Sequence, residues 1–171
     1  MNQRAILKHL CLAAAIGLSI QSAQAASGNS KTVSGTASAT VLGPIVLTHQ
    51  NGAALKFGKF ASSGTAGTVT VNAAGVGSVS GGVTFVPGSV TSTDRFRVVG
   101  DANRQFSITT GNGTVTLGTS SMAFTTAPVV ATATLPGSGV TFFDVRGTLS
   151  VNAGQPGGNY SGTYSVTVAY N

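Results

Sequence analysis

Apolar and polar residues alternate one by one along most of the chain, and no stretch after Ala25 shows the spacing of an amphipathic helix. Phe96 and Val98 alternate with arginines, while Phe106 and Ile108 alternate with polar residues. Gly, Asn, Pro and Asp separate these runs and mark turns. Strands with one apolar face fit antiparallel sheets that pack on one side only. The pattern predicts an all-β domain of two antiparallel sheets packed as a sandwich.

The alternating runs predict the positions of the individual strands. In chain order these are Thr32–Leu42, Ile45–His49, Thr68–Asn72, Gly77–Val86, Asp94–Val99, Arg104–Thr109, Thr114–Leu117, Ser121–Thr126, Phe142–Val151 and Tyr160–Tyr170. The last run places Tyr164, Val166, Val168 and Tyr170 on one face, which we expect to line the core.

The first of these runs is the most regular, although chain ends usually fray. One parity of the run holds only small apolar residues, namely Val33, Gly35, Ala37, Ala39 and Val41. The other parity is polar. Pro44 follows the run, and proline cannot donate a ladder hydrogen bond. Such regularity near a terminus requires a partner, which is either a strand of the same domain or a groove on another molecule.

The first 25 residues have the pattern of a secretory signal peptide. Arg4 and Lys8 give a basic start, Leu10–Ile20 is apolar, and residues 23–25 read Ala-Gln-Ala, an A-x-A cleavage site. The apolar run is shorter than the roughly 20 residues of a membrane-spanning helix. We therefore expect cleavage after Ala25, secretion, and a mature chain without a membrane span.

Cleavage changes both the cysteine count and the charge. Cys11 is the single cysteine, so the mature chain has no disulfide and no thiolate. Nine Lys and Arg less Arg4 and Lys8 leave seven, which against three Asp gives a net charge of +4. Only 7% of the residues are charged, so this excess of basic residues does not produce a dense cationic patch. We therefore expect no nucleic-acid partner.

Residues able to carry catalysis or hold a metal are scarce. The mature chain has no Glu, and His49 lies beside an Asn-Gly turn without a nucleophile-elbow motif. Three scattered Asp match neither a zinc nor a calcium site. We expect no catalytic residue, no metal, no cofactor and no enzymatic activity. Arg95, Arg97 and Arg104 could cluster across a hairpin at Gly100–Asn103 and bind a polyanion.

Several segments resemble the secreted bacterial family named domain of unknown function 4402, which is akin to spore-coat-U-like and archaic chaperone–usher pilins. The similar segments are Lys31–Pro44, Leu55–Gly58 and Gly147–Tyr170. The resemblance implies an immunoglobulin-like sandwich that lacks its last strand. In such pilins a periplasmic chaperone fills the gap until the N-terminal strand of the next subunit replaces it, and an outer-membrane usher is a further expected partner.

On this resemblance the mature chain consists of a donor-strand extension, residues 26–43, and a pilin-like domain, residues 44–171. Val33, Gly35, Ala37, Ala39 and Val41 would enter a neighbouring subunit, while Tyr164, Val166, Val168 and Tyr170 would lie beside the acceptor groove. Unlike spore-coat-U-like pilins, the mature chain has no cysteine for a stapling disulfide.

The implied function is a structural subunit of a bacterial cell-surface fibre, exported through the periplasm and assembled as a homopolymer. The alternative is a secreted monomeric module that binds a surface glycan or another polyanion through Arg95, Arg97 and Arg104.

Overall fold

The computed structural model describes residues 30–171, and in this range the chain forms eleven β-strands and no helix. The expected signal peptide and residues 26–29 of the extension lie outside the described residues. The chain divides into two units, residues 1–39 and residues 40–171. The described part of the first unit, residues 30–39, is exposed and forms no strand.

The second unit contains all of the strands. They are β1 Val46–His49, β2 Phe60–Val71, β3 Gly77–Phe85, β4 Asp94–Val99, β5 Gln105–Thr110, β6 Gly113–Leu117, β7 Ser120–Pro128, β8 Thr132–Thr134, β9 Val140–Val151, β10 Ser161–Thr163 and β11 Val166–Tyr170. Every predicted strand except Thr32–Leu42 overlaps one or two of these elements. No predicted strand corresponds to β8.

The strands form two antiparallel sheets. The large sheet has eight strands. Six of them follow the order β1, β4, β9, β7, β6, β10, while β2 pairs with β9 and β3 pairs with β2. The small sheet has the order β11, β5, β8. Strand β9 is the centre of the large sheet, since β4 pairs with its first half, β2 with its second half, and β7 with its middle.

The core has two clusters, of which the first lies between the two sheets and the second is formed by strands of the large sheet. Phe96, Val98, Phe143 and Val145 of the large sheet pack against Phe106 and Ile108 of the small sheet. A second cluster comprises Val69, Val83, Met122, Phe124, Leu149 and Val151. Strands β4, β5 and β9 contribute every second residue to the core, and burying a large apolar side chain contributes roughly 1.5–3 kcal/mol. The predicted all-β antiparallel sandwich is confirmed.

The C-terminal segment crosses from the large sheet to the small one. Strand β10 pairs with β6, and strand β11 pairs with β5. At the crossing, the Gly111 N–H donates to the Ser165 carbonyl at 2.9 Å. The two-stranded ribbon formed by β5–β6 and β10–β11 therefore joins the sheets along one side of the sandwich.

The other side of the sandwich is not joined by a ladder. Among the described strands, β1 pairs only with β4, β10 only with β6, and β11 only with β5. We call this side the seam, with residues 45–60 as its first wall and residues 158–170 as its second. Side chains of both walls, including Leu47 and Val168, pack against the same core cluster.

Thr32–Leu42, predicted as a strand, forms none in residues 30–171. Val33 and Val41 are 76% and 92% exposed. Alternation sets which residues would share a face, but an extended segment also needs an edge to pair with, because fixing its backbone costs entropy. Thr32–Leu42 has the alternation but pairs with no strand edge among the described residues.

Within the same residue range, no helix has both the length and the hydropathy needed to cross a lipid bilayer.

Candidate functional site

An open cleft of about 950 Å³ lies in the seam. Residues 54–60 of the first wall and residues 158–164 of the second wall flank it. Its floor is apolar and consists of core side chains, with Phe96, Met122, Phe124 and Leu149 among them. The cleft therefore reaches down to buried core side chains between two walls that share no ladder.

Alternation and one glycine shape the first wall. Leu55 and Phe57 pack against the core, while Lys56 is exposed. Lys56 and Ser92 exchange backbone hydrogen bonds of 3.0 and 3.1 Å, which fixes this wall to the loop before β4. Gly58 has a φ of 79°, a backbone conformation that residues other than glycine rarely adopt.

Asp94 at the start of β4 connects the two walls. Its carboxylate, with the residue 5% exposed, accepts from His49 Nε2 at 2.6 Å and from the Tyr164 hydroxyl at 2.8 Å. Because a carboxylate only accepts, His49 Nε2 carries a proton. His49 ends β1 and Tyr164 lies between β10 and β11, so one buried carboxylate binds both sides of the seam.

Tyr164 also packs against both core clusters. Its ring packs edge-on against Phe96 and Phe124 at centroid distances of 6.3 and 6.0 Å. Burial, then the hydrogen bond to Asp94 and its negative charge, raise the pKa of Tyr164 far above its ordinary value. The phenol therefore stays neutral and keeps donating to Asp94.

A second polar link crosses the seam near the end of β11. The Asp101 carboxylate accepts from the Gly43 N–H at 2.9 Å, and the Asp101 N–H donates to the Tyr170 hydroxyl at 2.7 Å. We call the links at Asp94 and Asp101 the aspartate bridges. The first bridge connects the two walls directly, and the second connects Gly43, just before the first wall, to Tyr170 of the second wall.

The predicted site residues differ in where the structure places them. Val33, Gly35, Ala37, Ala39 and Val41 are exposed and outside any strand, and no atom lies within 4 Å of a Cβ built on Gly35. Tyr164, Val166, Val168 and Tyr170 are half-buried, alternate with exposed neighbours, and pack against the core beside the seam.

Sequence reasoning missed several residues of the cleft. Leu55, Phe57 and Tyr160 line it, and His49 and Asp94 form the polar link beneath it. The alternation of Leu55 and Phe57 was a usable signal for the first wall. His49 was expected to be a solvated residue beside a turn, and nothing in the local sequence indicates its contact with Asp94.

The predicted cluster of three arginines is wrong. Strand β4 carries Arg95 and Arg97 in the large sheet, whereas Arg104 precedes β5 in the small sheet. The Gly100–Asn103 connection therefore crosses between sheets and does not form a hairpin.

The chemistry of the cleft is that of backbone recognition. Among residues 30–171, no three His, Cys, Asp or Glu side chains come close enough to bind a metal ion. An apolar cleft between unpaired strand edges can bind an extended peptide, which supplies the missing hydrogen bonds and fills the cleft with alternate side chains.

The model of the family described as Domain of unknown function (DUF4402) matches residues 47–170. The matched span runs from the second residue of β1 to the last residue of β11 and thus includes both walls of the seam except Ile45 and Val46. Comparisons with curated proteins and with solved structures returned no match.

Proposed function

The chain belongs to the DUF4402 family, and we propose that it is a structural, non-enzymatic subunit of a bacterial cell-surface fibre. Each subunit inserts the strand Thr32–Val41 of its extension, residues 26–43, into the cleft of a second copy, while Gly43 stays bonded to Asp101 of its own domain. Export passes through the periplasm, where a chaperone occupies the cleft first and an outer-membrane usher receives the subunit. No cofactor takes part.

The observation that carries this proposal is the cleft in a seam without a ladder. A strand inserted there has two edges to pair with, β1 with the residues that follow it and β10–β11. Such a strand makes on the order of ten backbone hydrogen bonds, each worth ~0.5–1.5 kcal/mol net. It also covers the half-buried apolar side chains of the walls, among them Leu55, Phe57 and Tyr160.

The size of the extension's side chains supports the same proposal. The aspartate bridges limit how far the walls can separate, so an inserted strand must be thin on its inward face. One parity of Thr32–Val41 is Val, Gly, Ala, Ala and Val, whose side chains are all small. Both end members, Val33 and Val41, are largely exposed, which is unfavourable for apolar groups in water.

The test uses a chain from which Ala26–Val41 has been deleted. We expect it to have a low melting temperature, to form no polymer, and to be stabilised by an added peptide spanning Thr32–Val41. Gly35→Leu in that peptide should abolish the stabilisation, because it puts a large side chain on the parity that otherwise carries only Val and Ala. Ser34→Leu, which adds a leucine on the opposite parity, is the matched control and should retain it.

A stable truncated monomer that ignores all three peptides would overturn the proposal. Equal stabilisation by the Gly35→Leu and Ser34→Leu peptides would contradict the assignment of the inward face. In the first case the chain would be a monomeric binding module.

A further inference from the structure

We propose that the outer face of the large sheet is a binding surface for an acidic polysaccharide built of uronic-acid units. This face is distinct from the cleft, because its side chains have the opposite parity to the core residues Phe96 and Phe143. The inference does not depend on fibre assembly.

Three cross-strand rows make up the surface. Strands β1, β4 and β9 contribute Val46, Val99 and Val140 to the first row, Thr48, Arg97 and Phe142 to the second, and Arg95 with Asp144 to the third. We call these residues the outer patch. Neighbouring strands are about 4.8 Å apart and same-face residues about 7 Å, so the patch measures about 10 by 14 Å.

The patch combines exposed apolar groups with cations. Val46 and Phe142 are 48% and 47% exposed, so a large ring lies open to solvent. The Arg95 guanidinium carbon lies 5.7 Å from the Phe142 ring centroid, and Arg95 Nε is 3.2 Å from Asp144 Oδ1. Arg146 follows two residues after Asp144 on the same face. The two arginines and one aspartate of the patch give a net charge of +1, and Arg146 beside it raises this to +2.

Each part of the patch matches a part of a uronic-acid polymer. A guanidinium group recognises a carboxylate through two parallel hydrogen bonds. An aromatic face carries partial negative charge and attracts the C–H face of a sugar ring. Sites for small molecules are concave, whereas this surface is an open sheet face, which suits an extended polymer.

The composition of the patch favours a polysaccharide over a nucleic acid. Single-stranded nucleic acids are bound by grooves with several stacking aromatic residues. The patch is an open sheet face with one exposed aromatic ring, Phe142, beside Arg95 and Arg97 of the neighbouring strand. One exposed ring next to two arginines fits a polymer that presents carboxylates together with sugar-ring faces.

The test measures binding of the secreted chain to immobilised polygalacturonate, with neutral dextran as the reference. We expect retention on polygalacturonate alone and a loss of affinity as NaCl rises, because the arginines are exposed. Arg97→Gln and Phe142→Ser should each weaken binding about tenfold or more, since each removes a direct contact. Arg104→Gln changes an exposed arginine of the small sheet and should leave binding unchanged. Unaltered melting temperatures would show that the variants are folded.

Three results would overturn the proposal. They are equal retention on dextran and polygalacturonate, an Arg104→Gln effect as large as that of Arg97→Gln, and tighter binding to poly(dT) than to polygalacturonate. Fibre formation by the Arg97→Gln chain, scored by electron microscopy, should match that of the unaltered chain. The two proposals can therefore fail separately.

Discussion

Asp94 is the only charged side chain that is buried among residues 30–171, and its surroundings explain how the core tolerates it. An unpaired buried charge is strongly destabilising, whereas one with several donors is compensated. Asp94 accepts from His49, from Tyr164 and, at 2.9 Å, from the Arg95 N–H. Its carboxylate is therefore satisfied by two side chains and its own strand.

The raised pKa of Tyr164 predicts how stability depends on alkaline pH. The unfolded chain loses the phenolic proton near pH 10, while the folded chain retains it, so unfolding becomes more favourable as pH rises above about 10. Below pH 10 this contribution is fully present. We expect the urea midpoint of the unaltered chain to be lower at pH 11 than at pH 9. These two pH values lie roughly one unit above and below the ordinary pKa of tyrosine.

Tyr164→Phe is the control for this measurement. Its free energy of unfolding at neutral pH should be lower by about 1 kcal/mol, because the hydrogen bond to Asp94 is lost. Its urea midpoint should decrease less steeply above pH 10 than that of the unaltered chain. All other residues are the same in the two proteins, so their contributions cancel in the comparison. Parallel decreases in the two proteins would contradict the prediction.

The sequence alone could not reveal that His49, Asp94 and Tyr164 form one hydrogen-bonded group. His49 and Tyr164 are 45 and 70 residues from Asp94 along the chain, and contacts at such separations are set by how the sheets pack. The same holds for Asp101, whose carboxylate accepts from Gly43, 58 residues earlier in the chain.

At the scale of the strands, β11 has one paired and one unpaired edge. Val168 pairs with Ile108 and packs against the core, while its neighbour Thr167 is exposed. The two residues therefore test the same strand on opposite faces.

Val168→Asp places a carboxylate without a partner against the core, where burial of a charge is costly. We expect loss of soluble protein or a large decrease in melting temperature. Thr167→Asp puts the same side chain into solvent, and its effect should stay within about 0.5 kcal/mol, as for most surface substitutions. Similar stabilities for the two variants would show that the face assignment of β11 is wrong.

Strands with clear alternation and flanking turns were predictable. The bounds of β4, Asp94–Val99, agree with the prediction at both ends. Strand β8 has only three residues and too short a pattern to detect. The predicted strand Tyr160–Tyr170 is interrupted after Thr163, because the chain changes sheets there, and such a change has no local signature. The first part of β2, Phe60–Gly67, is rich in Ser and Gly and gives no β signal.

At the scale of the whole molecule, the sandwich is joined on one side by the C-terminal ribbon and open on the other. The aspartate bridges cross the open side with side chains rather than with a ladder. Backbone groups on the outer edges of β10 and β11 therefore lack strand partners within the described chain.

Hydrogen exchange should detect this difference between the two sides. In the isolated subunit we expect fast exchange at the outer-edge amides of β10 and β11 and slow exchange in β9, which is paired on both edges. Adding the Thr32–Val41 peptide to the truncated chain should slow exchange in β10 and β11 and leave β9 unchanged. Slow exchange in β11 before any peptide is added would contradict an open seam.

The link at Gly43 has a mechanical consequence for a fibre of the proposed kind. Tension on the extension would enter the domain at Gly43 and Pro44, just before β1. The pull would be directed along β1, so its antiparallel ladder with β4 would be loaded in shear, with all four residue pairs sharing the force. The Asp101–Gly43 hydrogen bond precedes that ladder and would take the load first. A short strand anchored in this way yields only when its bonds break together, which lets a small domain without a disulfide resist pulling.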